Sequence, residues 1–198
     1  ADPDDIWAVR SAGIDPSNGK ELFYAKDGGY TYDFTYDDEV ICGNTRPDVE
    51  GVIGTSLNWK GFSVSLNFRY QMGADVFNEA LYNKVENISR SDLNKNQDKR
   101  ALYERWQEVG DIVHFKDIAS AASTPMSSRF VQTENVLTLE SLYLGYEFYN
   151  GWIEKLGLSS LKLQFSMRDV FRASTIRSER GISYPFARSM EAGLSFNF

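Results

Sequence analysis

Met190-Glu191-Ala192-Gly193-Leu194-Ser195-Phe196-Asn197-Phe198 closes the sequence with a strict two-residue period. Successive side chains of an extended strand point to opposite faces. Met190, Ala192, Leu194, Phe196 and Phe198 therefore share one face, and Glu191, Gly193, Ser195 and Asn197 share the other. Two architectures produce this pattern. One is a soluble sheet with one face on a core and the other in water. The second is the wall of an outer-membrane β-barrel, with apolar residues toward lipid and polar residues toward the lumen. A strand stopping at a carboxylate on an aromatic residue fits the second, as the last strand of the wall.

Residues 62–72 carry the same signature. Phe62, Val64, Leu66, Phe68 and Tyr70 alternate with Ser63, Ser65, Asn67, Arg69 and Gln71. The less strict segment Gly51–Trp59 precedes it across Lys60-Gly61, a dipeptide suited to a tight hairpin. Further on, Leu142, Leu144, Tyr146 and Phe148 line one face of a strand, and Leu161, Leu163, Phe165 and Met167 line one face of the next. Strands near 50–59, 62–72, 136–148, 160–171 and 189–198 alternate in direction. Their short connections (60–61 and 149–159) fall on one side, and the long segments 73–134 and 172–187 on the other. Short turns on one side and long loops on the other are the pattern of outer-membrane barrels. The expected fold is all-β: the last five antiparallel strands of a large transmembrane barrel with long extracellular loops. Residues 1–48 form a loop region with a hairpin, Glu21–Lys26 against Tyr30–Thr35, and residues 49–198 form the strands and remaining loops. Within 73–134, the spacing of Phe77, Leu81, Val85 and Ile88 predicts an amphipathic helix. A second helical piece is expected over 98–107, with Leu102 and Trp106 on one side.

Composition agrees. The 198 residues include 13 Phe, 11 Tyr and 4 Trp but only 5 Pro and 15 Gly, which excludes general disorder. A net charge of −7 without a basic cluster excludes a nucleic-acid partner. The single Cys42 cannot form an intramolecular disulfide and reads as a small apolar filler. No apolar run reaches the ~18 residues of a membrane-spanning helix. Barrel strands alternate, so a mean hydropathy of −0.41 remains compatible with a membrane wall. Ala1–Ile6 has no charged or apolar signal region, so an exported chain of this kind is expected to be part of something larger.

No catalytic constellation is present in the sequence. His114 is the sole histidine, and no His-based metal cluster can be built on it. Asp37-Asp38-Glu39 and Asp2, Asp4 and Asp5 lack the spaced pattern of a calcium loop and read as solvated acidic turns. Neither a cofactor nor a metal is expected, and no enzyme activity. The polar faces instead place Asn67, Arg69, Gln71, Gln164 and Arg168 toward a lumen. There they meet a hydrophilic substrate, or bond to a plug and to one another. Trp59, Phe62, Trp152, Phe196 and Phe198 cluster toward the short-turn side, where an interfacial girdle belongs.

Ordered motifs give this pattern a family. Ile6-Trp7-Ala8-Val9-Arg10-Ser11-Ala12-Gly13-Ile14-Asp15-Pro16-Ser17-Asn18-Gly19-Lys20-Glu21 is similar to the W-A-V-x-S-x-G-I-D-P-x-T-G-x-E block of SusC/RagA-type TonB-dependent outer-membrane transporters. Gly43–Pro47, Gly51, Tyr70–Gly73, Asn78, Ser127–Val131, Leu144–Tyr146, Arg168–Phe171, Tyr184-Pro185 and Arg188 follow in the family's order. Asp169 and Val170 stand where the family often has Asn and Leu. The resemblance spans nearly the whole chain and implies the C-terminal part of a plugged barrel of about 22 strands. It implies import of oligosaccharides or peptides, in outer-membrane lipid, with a SusD-like surface lipoprotein as partner. It further implies contact with the TonB complex through N-terminal parts, and closure by the remaining barrel strands. Trp7, Tyr82, Tyr103 and Trp106 become candidate lipoprotein contacts, or else pack the loops together. Leu194, Phe196 and Phe198 resemble the terminal-strand signal read by the barrel-insertion machinery. A soluble β-rich carbohydrate-binding domain, or a SusC-like barrel with a structural role, are the competing expectations.

Overall fold

The computed structural model describes residues 2–92, 94–117, 119–120, 122–149, 151–177 and 188–198, with the side chain of Trp152 outside that set. Tyr184 and Pro185, and most of the expected loop 172–187, lie outside the described residues. The described residues form two compact units. One comprises the described residues of 2–47, 74–134 and 176–177; the other comprises those of 48–73, 135–175 and 188–198.

In the first unit, β1 (Asp5–Val9) pairs with β5 (Glu39–Asn44), while β2 (Ser11–Ile14), β3 (Glu21–Tyr24) and β4 (Tyr30–Thr31) form a three-stranded sheet. The expected hairpin is therefore present but shorter. Only Phe23↔Thr31 and Tyr24↔Tyr30 pair. Side chains capture the backbone beyond them: Asp38 accepts the Lys26 N–H and Thr31 accepts the Asp33 N–H, ending the ladder.

The expected helix over Phe77–Ile88 is also shorter than its spacing suggests. Phe77 still belongs to a strand, and α1 spans only Glu79–Leu81, capped by the Asn78 side chain on the Leu81 N–H at 3.0 Å. A π-helical turn, Tyr82–Glu86, follows and is closed by the Asn87 N–H on the Tyr82 carbonyl at 2.9 Å. The apolar positions reach the core nevertheless. Leu81 and Val85 pack with Ala101, Phe115 and Phe130, flanked by Phe77, Tyr82 and Ile88. The Phe130 ring stands 5.1 Å from Tyr82 and 5.9 Å from Phe77. The second expected helix contracts to α2, Arg100–Tyr103, after which Trp106 returns its N–H to Phe115 across a short bridge.

The second unit is one antiparallel sheet in the order β10-β9-β8-β7-β6, formed by β6 (Val49–Trp59), β7 (Phe62–Phe77), β8 (Val131–Phe148), β9 (Ser160–Ser174) and β10 (Ser189–Asn197). The ends of β7 and β8 continue into the first unit. This is the expected five-stranded antiparallel sheet, and its register preserves the alternation. Leu57 faces Val64, Thr55 faces Leu66 and Ile53 faces Phe68. Across β8, β9 and β10 the rows read Leu144–Phe165–Ala192, Tyr146–Leu163–Leu194 and Phe148–Leu161–Phe196. The face they form is uncovered: Ile53, Leu57, Phe62, Leu144, Leu163 and Leu194 are all exposed. Phe62 to Met72 spans ten steps of the register, about 33 Å along the strand, which at a barrel tilt of ~40° projects to about 25 Å. That equals the height of a barrel's apolar band. Among the described residues no helix is long and apolar enough to cross a membrane, a fact that leaves strands untouched.

A bulge interrupts the β8–β9 pairing. Between the Leu139↔Phe171 and Ser141↔Arg168 pairs, Asp169 and Val170 oppose Glu140, and Asp169 adopts φ 52°. Asp tolerates this left-handed region better than most residues, so the bulge sits where the sequence permits it.

Lys60 and Gly61, at φ 46° and 88°, make the two-residue turn with positive φ at both centres that right-twisted strands prefer. A Cβ on Gly61 would also lie 2.5 Å from the Glu147 carbonyl oxygen. Gly61→Ala should therefore cost about 1–3 kcal/mol. Gly157→Ala, at φ 74° with open space around it, should cost less because it meets no backbone atom. Urea unfolding of the full-length protein in liposomes measures the difference. Equal midpoints for the two variants would remove the steric part of this account.

Candidate functional site

The polar face of the second unit is built from the same register. Asn67 donates from Nδ2 to Ser141 Oγ at 2.8 Å, and Ser141 stands opposite Arg168, itself opposite Ser189. Asn67 and Arg168 thus lie in one band, with Arg168 exposed. Arg69 pairs through Nε with Glu140 at 2.5 Å, and Gln71 donates to Glu50 Oε2 at 3.3 Å. Gln164 lies between Gly145 and Gly193. A Cβ on Gly193 would come within 2.5 Å of the Gln164 amide nitrogen, so the glycine leaves that amide room over the strand. Gly54 does the same opposite Asn67, where a Cβ would lie 2.8 Å from Oδ1. Ser56, Ser63, Ser65, Ser166 and Ser195 share the face with Asn58, Lys162 and Glu191, and Val52 and Tyr143 also stand on it. The result is a shallow, hydrogen-bonding floor with donors and acceptors but no nucleophile–base pair.

At the turn end of the opposite face, Trp59 pairs with Phe62, whose ring lies 4.3 Å from Tyr146, itself 4.5 Å from Phe148. Phe196 pairs with Leu161 beside Phe148. Tyr146 and Phe148 thus join the aromatic group anticipated at Trp59, Phe62 and Phe196, while the Trp152 side chain lies outside the described residues. Leu194 and Phe196 sit on the apolar face, and Phe198 extends past the last paired residue, almost wholly exposed.

The four loop aromatics divide. Trp7 and Tyr103 are exposed, on β1 and α2. Tyr82 is half-buried against Phe77 and Phe130, and its hydroxyl donates to the Thr124 carbonyl at 2.8 Å. Trp106 donates from Nε1 to the Pro16 carbonyl at 3.0 Å and lies over Gly19, where a Cβ would meet its ring at 2.6 Å. The His114 ring is not among the groups that assemble: its carbonyl accepts from Arg129 Nη1 at 2.5 Å. Among the described residues no three metal-ligating side chains converge.

A buried ionic network escaped the sequence reading. Arg129 Nη2 lies 2.8 Å from both Glu21 Oε2 and Glu86 Oε1, with both carboxylates buried and the guanidinium nearly so. Ser127 donates to Glu21 at 2.5 Å and Thr124 to Glu86 at 2.8 Å. Burial alone would pull the guanidinium down, yet the two carboxylates hold Arg129 above its ordinary pKa. Glu21 and Arg129 are separated by 108 positions, and no periodicity marks such a pair.

No protein-family model matches the chain. It is 25% identical over 171 residues to TonB-dependent receptor P39 of Formosa agariphila, covering 84% of this chain and 16% of that protein. The RagAB peptide importer in its open-open state superposes with a TM-score of 0.76 at 21% identity, over 98% of this chain and 22% of that one. The RagAB peptide transporter gives 0.76 at 23% identity, over 98% and 23%. The chain therefore spans roughly a fifth of the proteins it matches. The fold is that of the C-terminal part of an outer-membrane barrel. In sequence the chain is similar to a TonB-dependent receptor, and in fold to part of the RagAB transporter, the direction in which its motifs pointed.

Removing Arg129 leaves two buried carboxylates facing each other, so Arg129→Gln should destabilise the first unit by about 3–5 kcal/mol. Arg69→Gln breaks an exposed pair and should cost less than about 1 kcal/mol. Hydrogen exchange of the full-length protein reads both. Unchanged protection at residues 79–86 in Arg129→Gln would discard the network as a stabilising element.

Proposed function

We propose that the chain supplies closing strands and extracellular loops of a TonB-dependent outer-membrane importer that takes up peptides or oligosaccharides. One observation carries this reading. Unbroken apolar rows cross β8 to β10 with nothing covering them, while the opposite face of the same strands is polar. Lipid supplies the missing cover, and the closed wall satisfies the backbone that water cannot reach. Asn67, Arg69, Gln71, Gln164 and Arg168 then face the lumen, bonding to a plug or to the passing substrate. Trp59, Phe62, Phe196 and their neighbours sit at the periplasmic interface, and Leu194, Phe196 and Phe198 present the edge read during insertion. Of the four candidate loop aromatics, Trp7 and Tyr103 are the exposed two and are offered to a SusD-like lipoprotein, a pairing supported by the likeness to RagAB. The TonB complex engages parts of the protein outside this segment. The role is transport, without catalysis.

The test uses single cysteines in the full-length protein with Cys42 replaced by serine. Labels at Leu161, Leu163 and Phe165 should be quenched by brominated lipid, and labels at Lys162, Gln164 and Ser166 by an aqueous quencher. Equal aqueous quenching at all six positions would place the sheet in a soluble domain and overturn the membrane reading.

A further inference from the structure

The first unit contains a cavity of about 550 Å³ that the strand faces do not explain, with Glu86, Asn87, Arg90, Arg105, Lys116 and Ser120 among its walls. Its volume lies within the ~300–1,000 Å³ typical of small-molecule sites. Its charge is lopsided, with three cations against one carboxylate. That carboxylate is half used: Glu86 Oε1 meets Arg129 and Thr124, whereas the buried Oε2 has no partner. Arg105 is 5% exposed, and its terminal nitrogens donate only to main-chain carbonyls of Lys116, Val85 and Glu86. Its Nε is buried without a partner. Lys116 donates to Asn87 Oδ1 at 3.4 Å and to the Ala122 carbonyl. Among the described residues neither cation pairs with a carboxylate within ion-pair distance.

A buried charge such as Arg105 or Glu86 is normally matched by an opposite charge or a hydrogen-bond partner at each polar atom, since leaving one unmatched is costly; Lys116 is only half-buried and adds its positive charge beside them. Burial pushes both Arg105 and Lys116 below their ordinary pKa values, with Glu86 only partly offsetting it. The lacking complement is an acceptor for Arg105 Nε, which an anion would supply with Lys116 beside it, and a donor for the free oxygen of Glu86.

We propose that this cavity binds a small organic carboxylate carrying an N–H or O–H donor beside it: the anion lies against Arg105 Nε and Lys116 Nζ, and the donor meets Glu86 Oε2. An acylated amino acid, which is the C-terminal residue of a peptide, has this chemistry. So does a hydroxy acid such as a uronate. The site is formed within the first unit, so it stands or falls independently of the transport reading.

Calorimetric titration of the full-length protein in detergent, with N-acetylglycine and with glucuronate, tests it and distinguishes the two sources. Their neutral counterparts, N-acetylglycinamide and glucose, serve as controls. At least one acid should bind about tenfold or more tightly than its neutral counterpart, the effect of one charge-assisted hydrogen bond. Lys116→Gln should weaken that acid by about tenfold while leaving the circular dichroism unchanged. If Arg105→Lys also folds, it should weaken the acid too, because it removes Nε while keeping charge. Absence of binding by both acids at millimolar concentration overturns the proposal, as does equal binding of acid and neutral analogue. Unaltered affinity in Lys116→Gln overturns it equally.

Discussion

In-register pairing of alternating strands is the constraint from which the sheet's properties follow. A one-residue slip anywhere between β6 and β10 would turn a whole strand over, sending Leu163 to the polar face and Gln164 to the apolar one. β9 and β10 run from Ser160↔Asn197 to Arg168↔Ser189 without a slip, so both faces stay chemically pure over nine consecutive pairs. A sheet with one uncovered apolar face and outer strands β6 and β10 cannot satisfy itself in water. The same purity makes it a wall once an apolar medium and neighbouring strands are supplied. The small residues of the polar face belong to the same logic. Gly54 and Gly193 stand opposite Asn67 and Gln164, so these amides lie over the strand instead of projecting, and Gly145 makes the same room for the Tyr143 ring.

Much of this sheet was legible in the sequence because a two-residue period is local. Phe62 to Tyr70 declares its faces without reference to any other segment, and Lys60-Gly61 declares its turn. The Asp169 bulge was not legible, since an Asp in a left-handed conformation looks the same in sequence as one in a regular strand. The helix expected over 77–88 shows a different limit. Its apolar spacing located Leu81 and Val85 in the core correctly, but the widened turn that buries both Val85 and Glu86 answers to tertiary partners. Glu86 is drawn inward by Arg129 and Thr124, both distant in sequence. The candidate site divides along the same line. Strand register puts Asn67 and Arg168 on one face, with Ser141 between them, whereas the cavity beside Arg105 arises from contacts that no spacing encodes.

The two units are consequently held by different physics. Apolar rows such as Tyr146–Leu163–Leu194 stabilise only insofar as something apolar covers them, because burial is favourable only when surface leaves water. The first unit has few fully buried apolar side chains, chiefly Val9, Val85 and Phe130, and relies more on directional contacts. Arg129 is the clearest of these. Its planar fork joins Glu21, from a strand in the first 47 residues, to Glu86, from the segment after residue 74, and it admits one geometry for both. Apolar packing is non-directional and would tolerate several registers between two long irregular segments. A bidentate guanidinium does not, so one buried charge specifies the fold of loops whose own periodicity specifies little.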